Sequence, residues 1–307
     1  MTHGTLLITG ARGFLGQRLC QLAAGAGYTV VGLGRRPAPA PSPRWIQADL
    51  AVETAAELAL DQAAPAGVIH AAANARTIDC EQNPEAARRD NALASALLAA
   101  ACGQRGIPLV HCSTDLVFDG RRPGGMYREF DPTGPVNVYA RTKLEAEQRV
   151  RAAHGDAIIC RLPLLVGRGA PGATSFLDTW LDQMRRREPL ILFTDEYRTP
   201  LAVEDAAAGL LLALERAAEA RRLGALLHLG GPERMNRYEL GVLIGAAFAA
   251  ALDIADAPLI PGLQADVPMP APRAPDVSLD STLADSLGFA PRPVREALET
   301  MAQAAAR

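Results

Sequence analysis

A chain of 307 residues is long enough for a large core and for one or two domains. Hydrophobic residues at 49% and charged residues at 21% are ordinary for a globular protein in water, and a net charge of −3 with no long basic block argues against nucleic acid or an anionic membrane as main partner. Five scattered cysteines (Cys20, Cys80, Cys102, Cys112, Cys160) form no C-x-x-C pair, which disfavours disulfides or a zinc site and fits a reduced, cytoplasmic protein.

The start, Met1-Thr-His-Gly-Thr-Leu-Leu-Ile, runs straight into a strand-like segment, so no signal peptide is expected. The longest apolar stretches are too short to span a bilayer. Apolar runs predict strands at Thr5–Thr9, Thr29–Leu33, Arg44–Ala48, Gly67–Ala71, Pro108–Ser113 and Ala157–Leu162. Ala/Leu-rich patterns between them predict helices at Leu15–Ala26, Thr54–Ala63, Pro84–Cys102 and Val138–Ala153. The third has Asn83 as N-cap, Pro84 at the first helical position and Gly103 as terminator. Pro-rich Arg36–Pro43 reads as a surface loop.

Past residue 165 the pattern loosens. Gly167–Ala173 reads as a loop, Ser175–Arg187 as a helix and Leu190–Phe193 as a strand. Leu201–Arg222 reads as mostly helical, Leu226–Leu229 as a strand and Tyr238–Leu252 as a helix. Ala257–Pro275 is Pro-rich and reads as an irregular functional loop. The alternation indicates an α/β fold, a doubly wound parallel sheet of Rossmann type. It divides the chain into a dinucleotide-binding domain over 1–165, with returns from about 190–230, and a smaller lobe over 166–307.

Gly10-Ala-Arg-Gly13-Phe-Leu-Gly16 directly follows the first strand. A helix start leaves backbone N–H groups unpaired and carries partial positive charge, so a pyrophosphate fits there if side chains stay clear. Gly10 allows the turn, Gly13 the close approach and Gly16 helix–sheet packing, with Arg12, Phe14 and Leu15 on the same turn. A carboxylate at the end of the second strand would accept from an adenosine 2′-hydroxyl, but none stands between Thr29 and Gln47. Arg35 and Arg36 stand there instead and suit a phosphate monoester, which favours NADP(H) over NAD(H). Asp49 and Leu50 fit the adenine edge, and Ala71, Ala72 and Ala73 give small side chains where a cofactor passes; ordinary turn and packing roles fit these positions equally.

Tyr139 and Lys143 are four apart and share one helical face. An ammonium ~5 Å from a phenol, at an effective dielectric of ~20, supplies about 3 kcal/mol to the phenolate, or about two pKa units downward. Such a tyrosine exchanges a proton with an alcohol or ketone. Thr114, at a strand's end, is placed to bond the same substrate oxygen, and Lys143 also reaches a cofactor ribose. Tyr139 and Lys143 thus serve catalysis and cofactor binding together. Arg198 and Arg273 are candidates for a nucleotide diphosphate. His70, His111 and His228 fit packed structural roles, and no cluster has metal-ligand spacing, so no metal is expected.

These pieces, with Ser113-Thr-Asp-Leu-Val-Phe-Asp-Gly120, Pro135-Val-Asn-Val-Tyr139, Lys143-Leu-Glu-Ala-Glu147, Arg161 and Pro275-Asp-Val-Ser-Leu-Asp280, carry a resemblance. The chain resembles an extended short-chain dehydrogenase/reductase, and within that superfamily the dTDP-4-dehydrorhamnose reductase group. The resemblance implies a Thr114–Tyr139–Lys143 triad, a C-terminal lobe that holds a nucleotide sugar, and NADPH-dependent reduction of a 4-keto sugar with Tyr139 as general acid. By analogy with its relatives it implies a homodimer.

The chain departs from the group at Leu116, where an aromatic is usual, at Leu162-Pro-Leu-Leu165, where a tryptophan is usual, and at Phe14-Leu15. Leu116 also stands where sugar-nucleotide dehydratases need a base, which disfavours dehydration. Two alternatives stay open. One is a sugar-nucleotide epimerase. The other is a catalytically weak NADP-binding subunit that acts on a protein partner, as does the regulatory subunit of methionine adenosyltransferase.

Overall fold

The computed structural model describes residues 3–37, 44–169, 173, 175–252, 254 and 257–306. Of the expected loops, residues 38–43 and 170–172 lie outside the described residues. Seven strands form one parallel sheet: β1 (Thr5–Thr9), β2 (Thr29–Gly34), β3 (Arg44–Gln47), β4 (Gly67–His70), β5 (Leu109–Thr114), β6 (Ile158–Leu162) and β7 (Leu226–His228). Their order is β7-β6-β5-β4-β1-β2-β3. The order reverses between β1 and β4, and sheets of this kind take ligands in the crevice beyond the strand ends at that reversal.

Both faces of the sheet are covered, which is why its strands read as continuous apolar runs. Side chains alternate across β1. Leu6 and Ile8 pack with Leu19 and Ala23 of α1 (Phe14–Gly25) and with Ala206 and Leu210 of α6 (Val203–Glu215). Leu7 packs on the opposite face with Leu60 of α2 (Ala55–Ala63), Leu98 of α3 (Ala94–Arg105) and Val150 of α4 (Val138–Ala153). The chain therefore returns to the large sheet through α6 and β7 after it has left it.

Asn83 does cap a helix, its Oδ1 accepting the Ala86 N–H at 3.1 Å, with Pro84 next in line. Two expectations there are corrected. The helix does not stop at Gly103; it continues to Arg105 and closes on Gly106 at φ 63°. Gly103 serves packing, since a Cβ on it would lie 2.9 Å from the Ala153 carbonyl oxygen. The helix is also not continuous. A π-turn over Arg89–Leu93 joins Pro84–Arg88 to α3.

The remaining chain builds a second apolar cluster from α5 (Phe176–Arg185), α7 (Arg237–Leu252) and α8 (Val294–Ala305), with Leu177, Leu181, Leu240, Ile244, Phe248 and Leu298 inside. Ser175 caps α5 in a reciprocal box with Asp178. Leu190–Phe193 pairs in parallel with Leu259–Gly262, so the stretch read as irregular contains a strand. Pro261 concealed it: proline lacks the ladder N–H and is tolerated only at an edge, as here in a two-stranded pair. Leu201–Arg222 is likewise divided. Leu201–Ala202 pairs with Leu165–Val166, and α6 breaks at Arg216 before a short helix at Ala217–Arg222.

Candidate active site

The glycine turn closes at the end of β1. Gly10 has φ 66°, and a Cβ on it would lie 2.8 Å from the Ala71 carbonyl. A Cβ on Gly16 would lie 2.1 Å from the Gly10 oxygen. Gly13 is the N-cap of α1 and brings no side-chain acceptor to that helix end. Amides without a side-chain cap behind a turn bounded by Gly10 and Gly13 fit a pyrophosphate. Beside the turn is a cleft of about 380 Å³ lined by Arg12, Arg35, Arg36, Asp49, Leu50, Ala71, Ala72 and Ala73. The structure thus brings together every residue expected at the adenosine end. Arg35 is not alone there. Its guanidinium pairs with Asp90 of the π-turn at 2.8 Å.

Gly10, Gly13, Ala71 and Ala73 also line a second cleft of about 490 Å³. Phe14, Leu15, Gly16, Thr114, Tyr139 and Lys143 face into it. Thr114 ends β5, donating to Asp115 Oδ1 at 3.0 Å and accepting the Leu116 N–H at 3.2 Å. Tyr139 sits in the first turn of α4, which starts where Asn137 Oδ1 accepts the Ala140 N–H at 2.9 Å. Asn137 Nδ2 donates to the Pro272 carbonyl at 3.0 Å, tying α4 to the C-terminal segment.

Lys143 is buried, and its ammonium donates to the Cys112 carbonyl at 2.7 Å with His111 Nε2 at 3.5 Å. Burial pulls its pKa down to about 8. The Tyr139 phenol is not acidified. Burial, and then the Asp115 carboxylate, push it above its ordinary value, while the Thr114 hydroxyl acts the other way. The expectation of a lysine-lowered phenol is therefore corrected. The shared helical face delivers both groups to one cleft, but the ammonium is turned onto the β5 backbone.

Asp115, 3% exposed, is pushed up to about 6 by burial against the opposing pull of Arg198, whose Nε lies 3.7 Å away. Among the described residues its Oδ2 has no hydrogen-bond partner. On the facing wall Glu196, 1% exposed, gathers Arg237 at 2.8 Å, Arg273 at 3.0 Å and Arg198 at 3.4 Å. Burial raises this carboxyl, but Arg237, Arg198 and Arg273 outweigh it and hold it at about 2. All four line the second cleft.

Arg198 and Arg273 were legible candidates; Glu196, Arg237 and Asp90 were not. Arg237 merely opens an apolar helix, and Glu196 has no local pattern. The one available signal for Asp90 was a charged Arg-Asp-Asn interrupting an Ala/Leu-rich run. Leu116, Leu162, Pro163, Leu164, Leu165, Phe14 and Leu15, where the chain departs from the group it resembles, also line this cleft. Arg161 does not line it, being buried in a bidentate pair with Glu147 at 3.0 and 2.8 Å. His70, His111 and His228 are all buried.

A family model described as the RmlD substrate binding domain matches residues 4–307. The chain belongs to this family. The RmlD family and this fold are those of the NAD(P)-dependent oxidoreductases of extended short-chain dehydrogenase/reductase type. A probable low-salt glycan biosynthesis reductase, Agl14, of Haloferax volcanii is 38% identical over 198 residues, 63% of this chain. The match spans 65% of that protein's length. Methionine adenosyltransferase 2 subunit beta of Xenopus laevis is 31% identical over 288 residues, 93% of this chain and 83% of that one. The crystal structure of a dTDP-4-dehydrorhamnose reductase from Clostridium acetobutylicum superposes with a TM-score of 0.85 at 25% identity, over 98% of this chain and 99% of that one. Among the described residues no helix is long and apolar enough to cross a membrane.

Proposed function

We propose that this RmlD-family chain is an NADPH-dependent reductase of a keto group on a nucleotide-activated 4-keto sugar. One observation carries the reading: Thr114, Tyr139 and Lys143 share a cleft with the glycine turn, and the facing wall holds Arg198, Arg237 and Arg273. A reduced nicotinamide, when bound, supplies the hydride. Thr114 and Tyr139 hold the keto oxygen, and Tyr139 gives it a proton. A phenol raised above its ordinary value stays protonated at neutral pH, which suits a donor. Lys143 stabilises the phenolate left behind.

Guanidinium groups fit diphosphate oxygens, and Glu196 keeps the three arginines together while leaving a surplus of positive charge. Leu116 and Leu164 offer the sugar an apolar wall without hydrogen bonds. In this reading residues 1–165, with the return through α6 and β7, hold the cofactor, and the rest of 166–307 holds the sugar nucleotide. Arg12, Arg35 and Arg36 support NADPH over NADH.

The test is NADPH oxidation with a panel of nucleotide 4-keto sugars. Turnover on at least one is expected, with Tyr139→Phe slower by about a hundredfold or more. A second reading is supported by the alignment with the methionine adenosyltransferase beta subunit over 93% of the chain. NADPH binding without oxidation on any ketone, together with a stoichiometric protein partner, would favour that regulatory role.

A further inference from the structure

We infer that Asp90 sets the cofactor preference of this chain through Arg35, holding selectivity for an adenosine 2′-phosphate below what the arginines alone would give. The inference rests on the reading of the first cleft as a dinucleotide site. A carboxylate that reads a 2′-hydroxyl ordinarily follows the second strand, and none stands between Thr29 and Gln47. The fold supplies one from far along the chain. The π-turn carries Asp90 into the same cleft as Arg35 and Arg36.

Asp90 is held on both sides. Its Oδ2 accepts from Arg35 at 2.8 Å and its Oδ1 from Arg89 at 3.0 Å. Arg89 in turn reaches Asp49 Oδ2 at 2.6 Å. Of this alternating row of four charges, Arg35, Asp90 and Asp49 line the cleft, and Arg89 links the two carboxylates. The Asp90 side chain is 15% exposed, against 59% for Arg35, so the carboxylate is the anchored member and the guanidinium the accessible one. An incoming 2′-phosphate must share Arg35 with Asp90 and meets the negative charge of that carboxylate. A 2′-hydroxyl meets neither obstacle and finds an acceptor already in place. Both effects shift preference away from the phosphate, and both are removed with the Asp90 charge.

The test uses nucleotide fragments, so that it needs no turnover. Binding of 2′,5′-ADP and 5′-AMP is measured by calorimetry on the full chain, Asp90→Asn, Arg35→Ala and the double variant. Asp90→Asn is expected to tighten 2′,5′-ADP about tenfold while 5′-AMP changes less than about twofold. In the Arg35→Ala background the same substitution is expected to change 2′,5′-ADP less than about threefold, which assigns the effect to the pair. The 5′-AMP affinity also reports that each variant is folded, and Asp90→Ala is expected to shift selectivity in the same direction. Equal changes for both ligands, unaltered selectivity, or a tenfold gain that persists without Arg35 would overturn the role of Asp90 alone. Failure of the unmodified chain to bind either nucleotide would overturn the cofactor reading and this inference with it.

Discussion

Tyr139 and Lys143 are one helical turn apart, and their spacing alone says that they share a cleft. It does not say how they titrate. That depends on burial and on neighbours from other elements: Cys112 on β5 for the lysine, Asp115 and Thr114 for the tyrosine. Lys143 with a pKa of about 8 is a cation below that pH and neutral above it. Tyr139, pushed above its ordinary value near 10, keeps its proton throughout the neutral range. If Tyr139 donates to the keto oxygen, the phenolate that remains depends on the Lys143 charge. In the proposed reduction kcat/KM is therefore expected to fall as pH rises through about 8, the free-enzyme value of the lysine rather than that of the tyrosine. A steady-state pH profile from about 6 to 11 checks this. A rising limb through that range, or a single step above 10, would assign the titration elsewhere.

The strand–turn–helix unit from β1 to α1 was legible because its constraints are local. An apolar run, glycines at the turn and the start of an amphipathic helix lie within a few residues of one another, and the first six strands end within one residue of their expected limits. Gly16 makes that unit possible, since an added methyl would sit 2.1 Å from the backbone oxygen of Gly10. No side-chain rotation relieves a clash with backbone. Gly16→Ala is therefore expected to destabilise the chain by about 2 kcal/mol or more and to abolish nucleotide binding. Gly25→Ala, at the end of the same helix with no atom of the described residues within 4 Å of its Cβ, is expected to be neutral or stabilising by up to about 1 kcal/mol. Urea denaturation midpoints of the two variants check the contrast, and equal midpoints would remove the steric account of the turn. The π-turn and the Pro261 strand were not legible, because one extra residue per turn, or one missing N–H, leaves the apolar periodicity of a segment almost unchanged.

At the scale of the molecule, the triad, the glycine turn and Arg198 were readable singly, but their meeting was not, because it is made by contacts between distant segments. Asn137 reaches Pro272, and Arg198 approaches Asp115. The same is true of the large sheet. Its edge strand β7 and its covering helix α6 arrive only after the chain has built the strands at Leu165–Val166 and Leu190–Phe193. A fragment of residues 1–165 lacks both. It would leave Leu6, Ile8, Val110 and Ile158 without Ala206, Leu210 and Leu227, and it would expose the open edge of β6. Such a surface is too large and apolar to remain in water without cost, so the fragment is expected to melt without a cooperative transition and to bind a hydrophobic dye. A fragment of residues 1–230 restores α6 and β7 and is expected to recover a cooperative transition, with a midpoint below that of the full chain because Ala284 and Phe289 of the same core cluster are still missing. Circular dichroism melts of the two fragments check the difference. A cooperative melt of 1–165 at the midpoint of the full chain would mean that the returning segment contributes nothing to the stability of the sheet.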